Sequence, residues 1–149
     1  AEMESRTMYE DQIWINAENQ SQRRPVASFF FPPLSGVVTN YFDPRQGHFG
    51  VDIVASDETI ISSTLDGTVI FAEWILETGY TIGIQHPNNL ISIYKHNNRL
   101  LREAGSFVKA GEPIAVIGDS GIYSTGTHLH FELWFNGNPV NPLDYILFQ

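Results

Sequence analysis

Gly126-Thr127-His128-Leu129-His130-Phe131-Glu132-Leu133, near the C-terminus, alternates polar and apolar residues. Such alternation is the pattern of a half-buried strand, in which side chains two apart share a face. Leu129, Phe131 and Leu133 therefore anchor one face in a core, and His128 and His130 project side by side from the other. Two imidazoles held parallel on a strand form half of a metal or proton-transfer site. The plainer reading is one solvated histidine and one satisfied by a neighbour, so the rest of the chain has to decide.

Upstream, short β-like runs recur at spacings of roughly ten residues. They cover Val37 to Phe42, Thr59 to Ser63, Gly67 to Trp74, Tyr80 to His86, Leu90 to Lys95, Pro113 to Ile117 and Thr127 to Phe135. Breaks at Asp66-Gly67, Pro87-Asn88-Asn89 and Asn136-Gly137-Asn138 read as hairpin turns. Phe29-Phe30-Phe31 reads as a buried strand end stopped by Pro32-Pro33. Asn97 to Ala104 is the one helical or irregular candidate. The expected fold class for residues 27–149 is all-β, mainly an antiparallel sheet or sandwich with long loops. Residues 1–26 read as a short N-terminal extension and linker. One short helix fits Arg6 to Asn16, with Trp14 packed onto the domain.

The 149 residues are one domain's worth of chain. Hydrophobic residues make up 42% and charged residues 17%, and a net charge of −9 argues against nucleic acid or an anionic membrane as the main partner. With no cysteine there is no disulfide framework and no thiolate-bound zinc. No apolar run reaches about 18 residues, so no membrane-spanning helix is expected. The chain opens without a signal-peptide pattern, as a processed or trimmed form would.

Five histidines are present: His48, His86, His96, His128 and His130. Around the first, Gly47-His48-Phe49-Gly50-Val51-Asp52 sets an imidazole and a carboxylate four residues apart. A straight strand would separate them by about 13 Å, too far to share an ion. Gly50 between them permits a bulge or bend that brings them together. Two imidazoles and a carboxylate suit Zn²⁺ and leave a fourth position open, as catalytic zinc sites do. His96 ends the run Ile93-Tyr94-Lys95-His96 and reads alone as a surface histidine. His86 reads as a strand-end residue capping a hairpin.

Taken in order, His48-x-x-x-Asp52, Tyr94-x-His96 and His128-x-His130 resemble the LytM/lysostaphin-type zinc metallopeptidases, the peptidase M23 family. Further likeness lies in Pro33 to Thr39, His48 to Ile53, Asp66 to Val69, Val108 to Ile114, Gly118 to Gly121 and Ser124 to Glu132. The resemblance implies that His48, Asp52 and His130 hold Zn²⁺ and that His96 and His128 are the non-ligand histidines of the active site. It implies a zinc-dependent endopeptidase acting on the stem-peptide cross-links of bacterial peptidoglycan, outside the cytoplasm, with a regulatory protein as a further partner. His128, one strand position from His130, is placed to act as general base, and His96 to stabilise the oxyanion. Asp57-Glu58-Thr59, Thr81 and Asn97-Asn98-Arg99 depart from the family pattern, but none removes a ligand or a catalytic histidine.

Asn40 and Arg45 are candidate groove residues, and Tyr94 and Tyr123 candidate groove walls. The walls are expected from Tyr41 to Gly47, Asn97 to Gly105 and Asp119 to Gly126. One rival is a non-catalytic module that binds or activates another cell-wall hydrolase, although all five site positions are intact here. A second is a lipoyl- or biotin-carrier-like domain, suggested by Val108 to Ile114. Neither Lys95 nor Lys109, the only lysines, has the hairpin-tip setting a carrier needs.

Overall fold

The computed structural model describes residues 30–148, so the expected extension at 1–26, its helix and Trp14 lie outside the described residues. Eleven strands follow in order: β1 (Val37–Asn40), β2 (Val51–Val54), β3 (Ile60–Ser62), β4 (Gly67–Ile75), β5 (Gly79–His86), β6 (Leu90–Asn97), β7 (Arg99–Leu100), β8 (Phe107–Val108), β9 (Pro113–Val116), β10 (Leu129–Phe135) and β11 (Asn138–Val140). A large sheet runs β1-β2-β10-β6-β5-β4-β8, with β11 also paired to β10, and a small one runs β3-β9-β7. Every pairing is antiparallel. The all-β expectation is borne out.

β10, late in sequence, sits between β2 and β6. Its register sets His130 opposite Asp52 on one side and opposite Lys95 on the other. Leu129, Phe131 and Leu133 are fully buried, as the alternation requires, and pack in one core with Val51, Ile53, Tyr94, Ile82 and Ile84. Ile61, Ile114 and Ala115 of the small sheet join that core. Truncating a ring such as Phe131 to alanine there would cost about 3–5 kcal/mol.

Two local expectations change. Phe30 and Phe31 lie outside any strand: among the described residues Phe31 pairs with Thr64, through N–H to carbonyl and hydroxyl to carbonyl bonds of 2.8 Å each. Pro32 and Pro33 remove the next two donors, so no ladder can continue. Asn97 to Ala104 is not helical but finishes β6, forms β7 and turns.

His86 ends β5 at the β5–β6 hairpin, as expected, but it is buried there in a directed hydrogen-bond chain. Thr64 N–H donates to the Tyr94 hydroxyl (3.1 Å), Tyr94 to Ser92 Oγ (2.7 Å), and Ser92 to His86 Nε2 (2.7 Å). His86 Nδ1–H then donates to the Asp66 carbonyl at 2.7 Å. Burial lowers the His86 pKa, against the opposing pull of Asp66. The unfolded chain therefore binds this proton more tightly than the folded one. The contribution is complete above the ordinary histidine value and is lost as pH falls through it. Urea titrations from about pH 7.5 to about pH 5.5 should show the wild type losing stability relative to His86→Gln.

Candidate metal centre

The described residues carry one His/Asp group of metal-site geometry: His48, Asp52 and His130, with one donor atom of each inside 4.8 Å of the others. The β2–β10 register makes Asp52 and His130 direct cross-strand neighbours, and Nδ1 of His130 lies 2.8 Å from Asp52 Oδ1. His48 arrives from a tight turn. Pro44–Gln46 form one 3₁₀ turn, Gly47 ends it at φ 75°, and Asp43 and His48 pair across it. That brings His48 Nε2 to 3.2 Å from Asp52 Oδ2.

Gly50 is needed for a different reason than the one expected. Its backbone is not left-handed; a Cβ there would lie 2.4 Å from the Phe131 carbonyl oxygen and 3.0 Å from His130 Nε2. Only a residue without a side chain lets the chain pass β10 so closely. Gly50→Ala should cost about 1–3 kcal/mol in urea unfolding and weaken metal binding with it, because the displaced backbone leads into Asp52.

Hydrogen bonding fixes which nitrogen each ring offers. A carbonyl can only accept, so a ring nitrogen bonded to one must carry the proton. His48 Nδ1 donates to the Tyr41 carbonyl (2.8 Å), His96 Nδ1 to Ser120 (2.8 Å) and His128 Nδ1 to Gly126 (2.7 Å). In the neutral rings Nε2 is then a free lone pair. His96 and His128 stand with ring centroids 5.0 Å apart, and His96 lies 6.3 Å from His130. His128 Nε2 is 3.8 Å from Asp52 Oδ1. All five expected residues line one cleft of about 450 Å³.

His96 reaches that cleft through strain. Along β6, Ser92 and Tyr94 face the core, so strict alternation would turn His96 inward with them. Instead His96 adopts φ 70°, and the β5–β6 register shifts between Tyr80 and Ile82. A left-handed histidine costs of order 1–3 kcal/mol, which is stored here at a cleft-lining position.

Burial would raise the Asp52 carboxyl, but the hydrogen bond from His130 and the charges of His130, His128 and His48 outweigh it and hold it at about 2. Burial likewise opposes His130 protonation, and the bonds to Asp52 and Glu132 outweigh that, raising its pKa. His130 thus lies between two carboxylates, and one carboxylate with two imidazole nitrogens is a donor set that suits zinc. Burial lowers the His96 pKa, with His128 and His130 adding to it and Ser120 opposing.

Glu132 escaped the sequence reading although the alternation contained it, being next after His130 on the same face. Its Oε2 is 2.8 Å from His130 Nε2 and 2.8 Å from Lys95 Nζ, and its Oε1 accepts from Trp134 at 2.9 Å. Burial raises its pKa, but His130 and Lys95 overcome this and bring it to about 2. Asn40, expected in the groove, lies within the cluster and donates to Asp52 Oδ2 at 3.2 Å. Tyr123 lines the cleft as expected, but Tyr94 is fully buried in the core and walls nothing. Arg45 and the segment Asn97 to Gly105 do not line the cleft, whereas Thr78 of the β4–β5 hairpin does.

Residues 46–142 match Peptidase family M23. The chain is 36% identical over 132 residues to the murein hydrolase activator NlpD of Salmonella dublin, covering 88% of this chain and 34% of that protein. It therefore spans about a third of that relative's length. A zinc containing peptidase from Vibrio cholerae superposes with a TM-score of 0.67 at 30% identity, over 75% of this chain and 39% of the other. The antimicrobial peptidase lysostaphin from Staphylococcus simulans gives a TM-score of 0.67 at 26% identity, over 74% and 51%. With the family match covering most of the sequence and an ordered His-Asp-His cluster at the centre of the sheet, this chain belongs to peptidase family M23.

Proposed function

We propose that the chain is a zinc-dependent endopeptidase that hydrolyses the peptide cross-links of bacterial peptidoglycan, acting in the cell envelope outside the cytoplasm. The observation that carries this is the convergence of five side chains from four separate segments, with free imidazole lone pairs directed into one cleft. His48, Asp52 and His130 would hold the ion. When bound, zinc would supply the positive charge that acidifies a water molecule and polarises a substrate carbonyl. The remaining work falls to the chain. His128, tied at Nδ1 to Gly126, presents Nε2 to take the proton of the attacking water. His96 faces the same space and steadies charge developing on the carbonyl oxygen when its Nε2 carries a proton. The cleft, rather than long-range attraction, captures substrate, because a chain of net charge −9 gains nothing electrostatically from an anionic wall.

A second reading, a module that activates another wall hydrolase, is favoured by what the Salmonella relative is called. The two separate on purified peptidoglycan of two cross-link chemistries, digested with and without chelator and analysed by mass. The endopeptidase reading predicts chelator-sensitive release of peptide fragments from one of them. Wild-type protein that releases none, yet stimulates a separate wall hydrolase, would establish the module.

A further inference from the structure

Among the described residues, one buried charged side chain touches the His-Asp-His cluster without a role in the proposed reaction. Glu132 is 6% exposed, and its oxygens are engaged by His130, Lys95 and Trp134. Three donors on two oxygens leave it held in one orientation, turned toward the far nitrogen of His130. It does not line up as a base, because both of its oxygens are engaged by these partners.

We propose that Glu132 is a positioning residue that keeps the proton of His130 on Nε2, so that Nδ1 is the nitrogen offered to the ion beside Asp52 and His48. An imidazole has one proton to place when neutral, and an anionic acceptor on one side decides where it rests. Two carboxylates flank the ring at 2.8 Å each. With Nε2–H donated to Glu132, Nδ1 would be the lone pair that the neutral ring offers to a cation between Asp52 and His48, in one defined tautomer. Lys95, 23% exposed, holds Glu132 in place from the cleft side. The β10 alternation makes this automatic: His128, His130, Glu132 and Trp134 share one face while Leu129, Phe131 and Leu133 are buried on the other.

The inference rests on the zinc reading above, and the experiment has two arms so that the two can fail separately. In the first, zinc affinity is measured by competition with a chromophoric chelator. Glu132→Ala should weaken it by about 10–100-fold, Glu132→Gln should recover most of the loss because an amide oxygen still accepts from Nε2–H, and Lys95→Met should cost clearly less than Glu132→Ala because Glu132 keeps its bonds to His130 and Trp134. In the second arm the ring nitrogens of His130 are read by NMR in metal-free Asp52→Ala protein at alkaline pH, where no competing carboxylate remains. His130 should rest as the Nε2–H tautomer there, and adding Glu132→Ala should give a mixture. A purely structural role predicts equal losses in Glu132→Ala and Lys95→Met with no change of tautomer. Unchanged affinity and tautomer in the Glu132→Ala proteins overturns the proposal. Wild-type protein that binds no zinc overturns the metal reading instead, and the second arm still decides the role of Glu132.

Discussion

His128→Ala is expected to lower cross-link hydrolysis by about 10²–10⁴-fold while leaving bound zinc at the wild-type level. The separation follows from position. His128 lies on the same face as His130 but one strand repeat earlier, and its Nε2 is 3.8 Å from Asp52 Oδ1 rather than within the tight cluster. Its Nδ1 is committed to the Gly126 carbonyl, so Nε2 is the one proton acceptor it brings to the cleft. Alanine removes that acceptor and no ligand. Its ring is largely screened from solvent but contributes nothing to the main core, so the fold should tolerate the change. Metal content by elemental analysis, beside fragment release by mass, measures both quantities on one preparation. A variant that lost zinc in parallel with activity would place His128 among the ligands.

Asp52→Ala should be the most damaging change at the centre, lowering zinc affinity by well over about 100-fold. Asp52 is the only carboxylate of the donor set, and it touches both other members, His130 at 2.8 Å and His48 at 3.2 Å, while accepting from Asn40 at 3.2 Å. Without it the ion would face two neutral imidazoles alone. The metal-free protein should also respond. A folded pKa of about 2, below the ordinary aspartate value, means that Asp52 stabilises the fold above that ordinary value and ceases to as pH falls toward 2. Acid unfolding of metal-free wild type and Asp52→Ala should therefore converge at the acid end and diverge at neutral pH.

How much of this could be read from residues alone depended on whether the cause was local. The β10 alternation was legible because burial of Leu129, Phe131 and Leu133 fixes the phase of the whole strand. The placement of β10 between β2 and β6 was not, because register between distant strands leaves no short-range trace. Tyr94 was misplaced as a groove wall because it follows the regular alternation of β6 and faces the core with Ser92. His96, which alone reads as a surface histidine, is only 6% exposed and lines the cleft, where its left-handed backbone breaks that alternation. Gly50 was singled out correctly but for its freedom of conformation, whereas what matters is its contact with the Phe131 carbonyl. Glu132 was passed over although the period of two pointed straight at it. The five expected site residues do share one cleft, and their separate roles are what the substitutions address.

The most direct test of the account is the anomalous signal of zinc-soaked crystals recorded on both sides of the zinc absorption edge. One strong peak per chain at bonding distance from His48 Nε2, Asp52 and His130 Nδ1, with His96 and His128 close by but unbonded, is the predicted result. No peak between those three side chains, or one held equally well in Asp52→Ala, would contradict it.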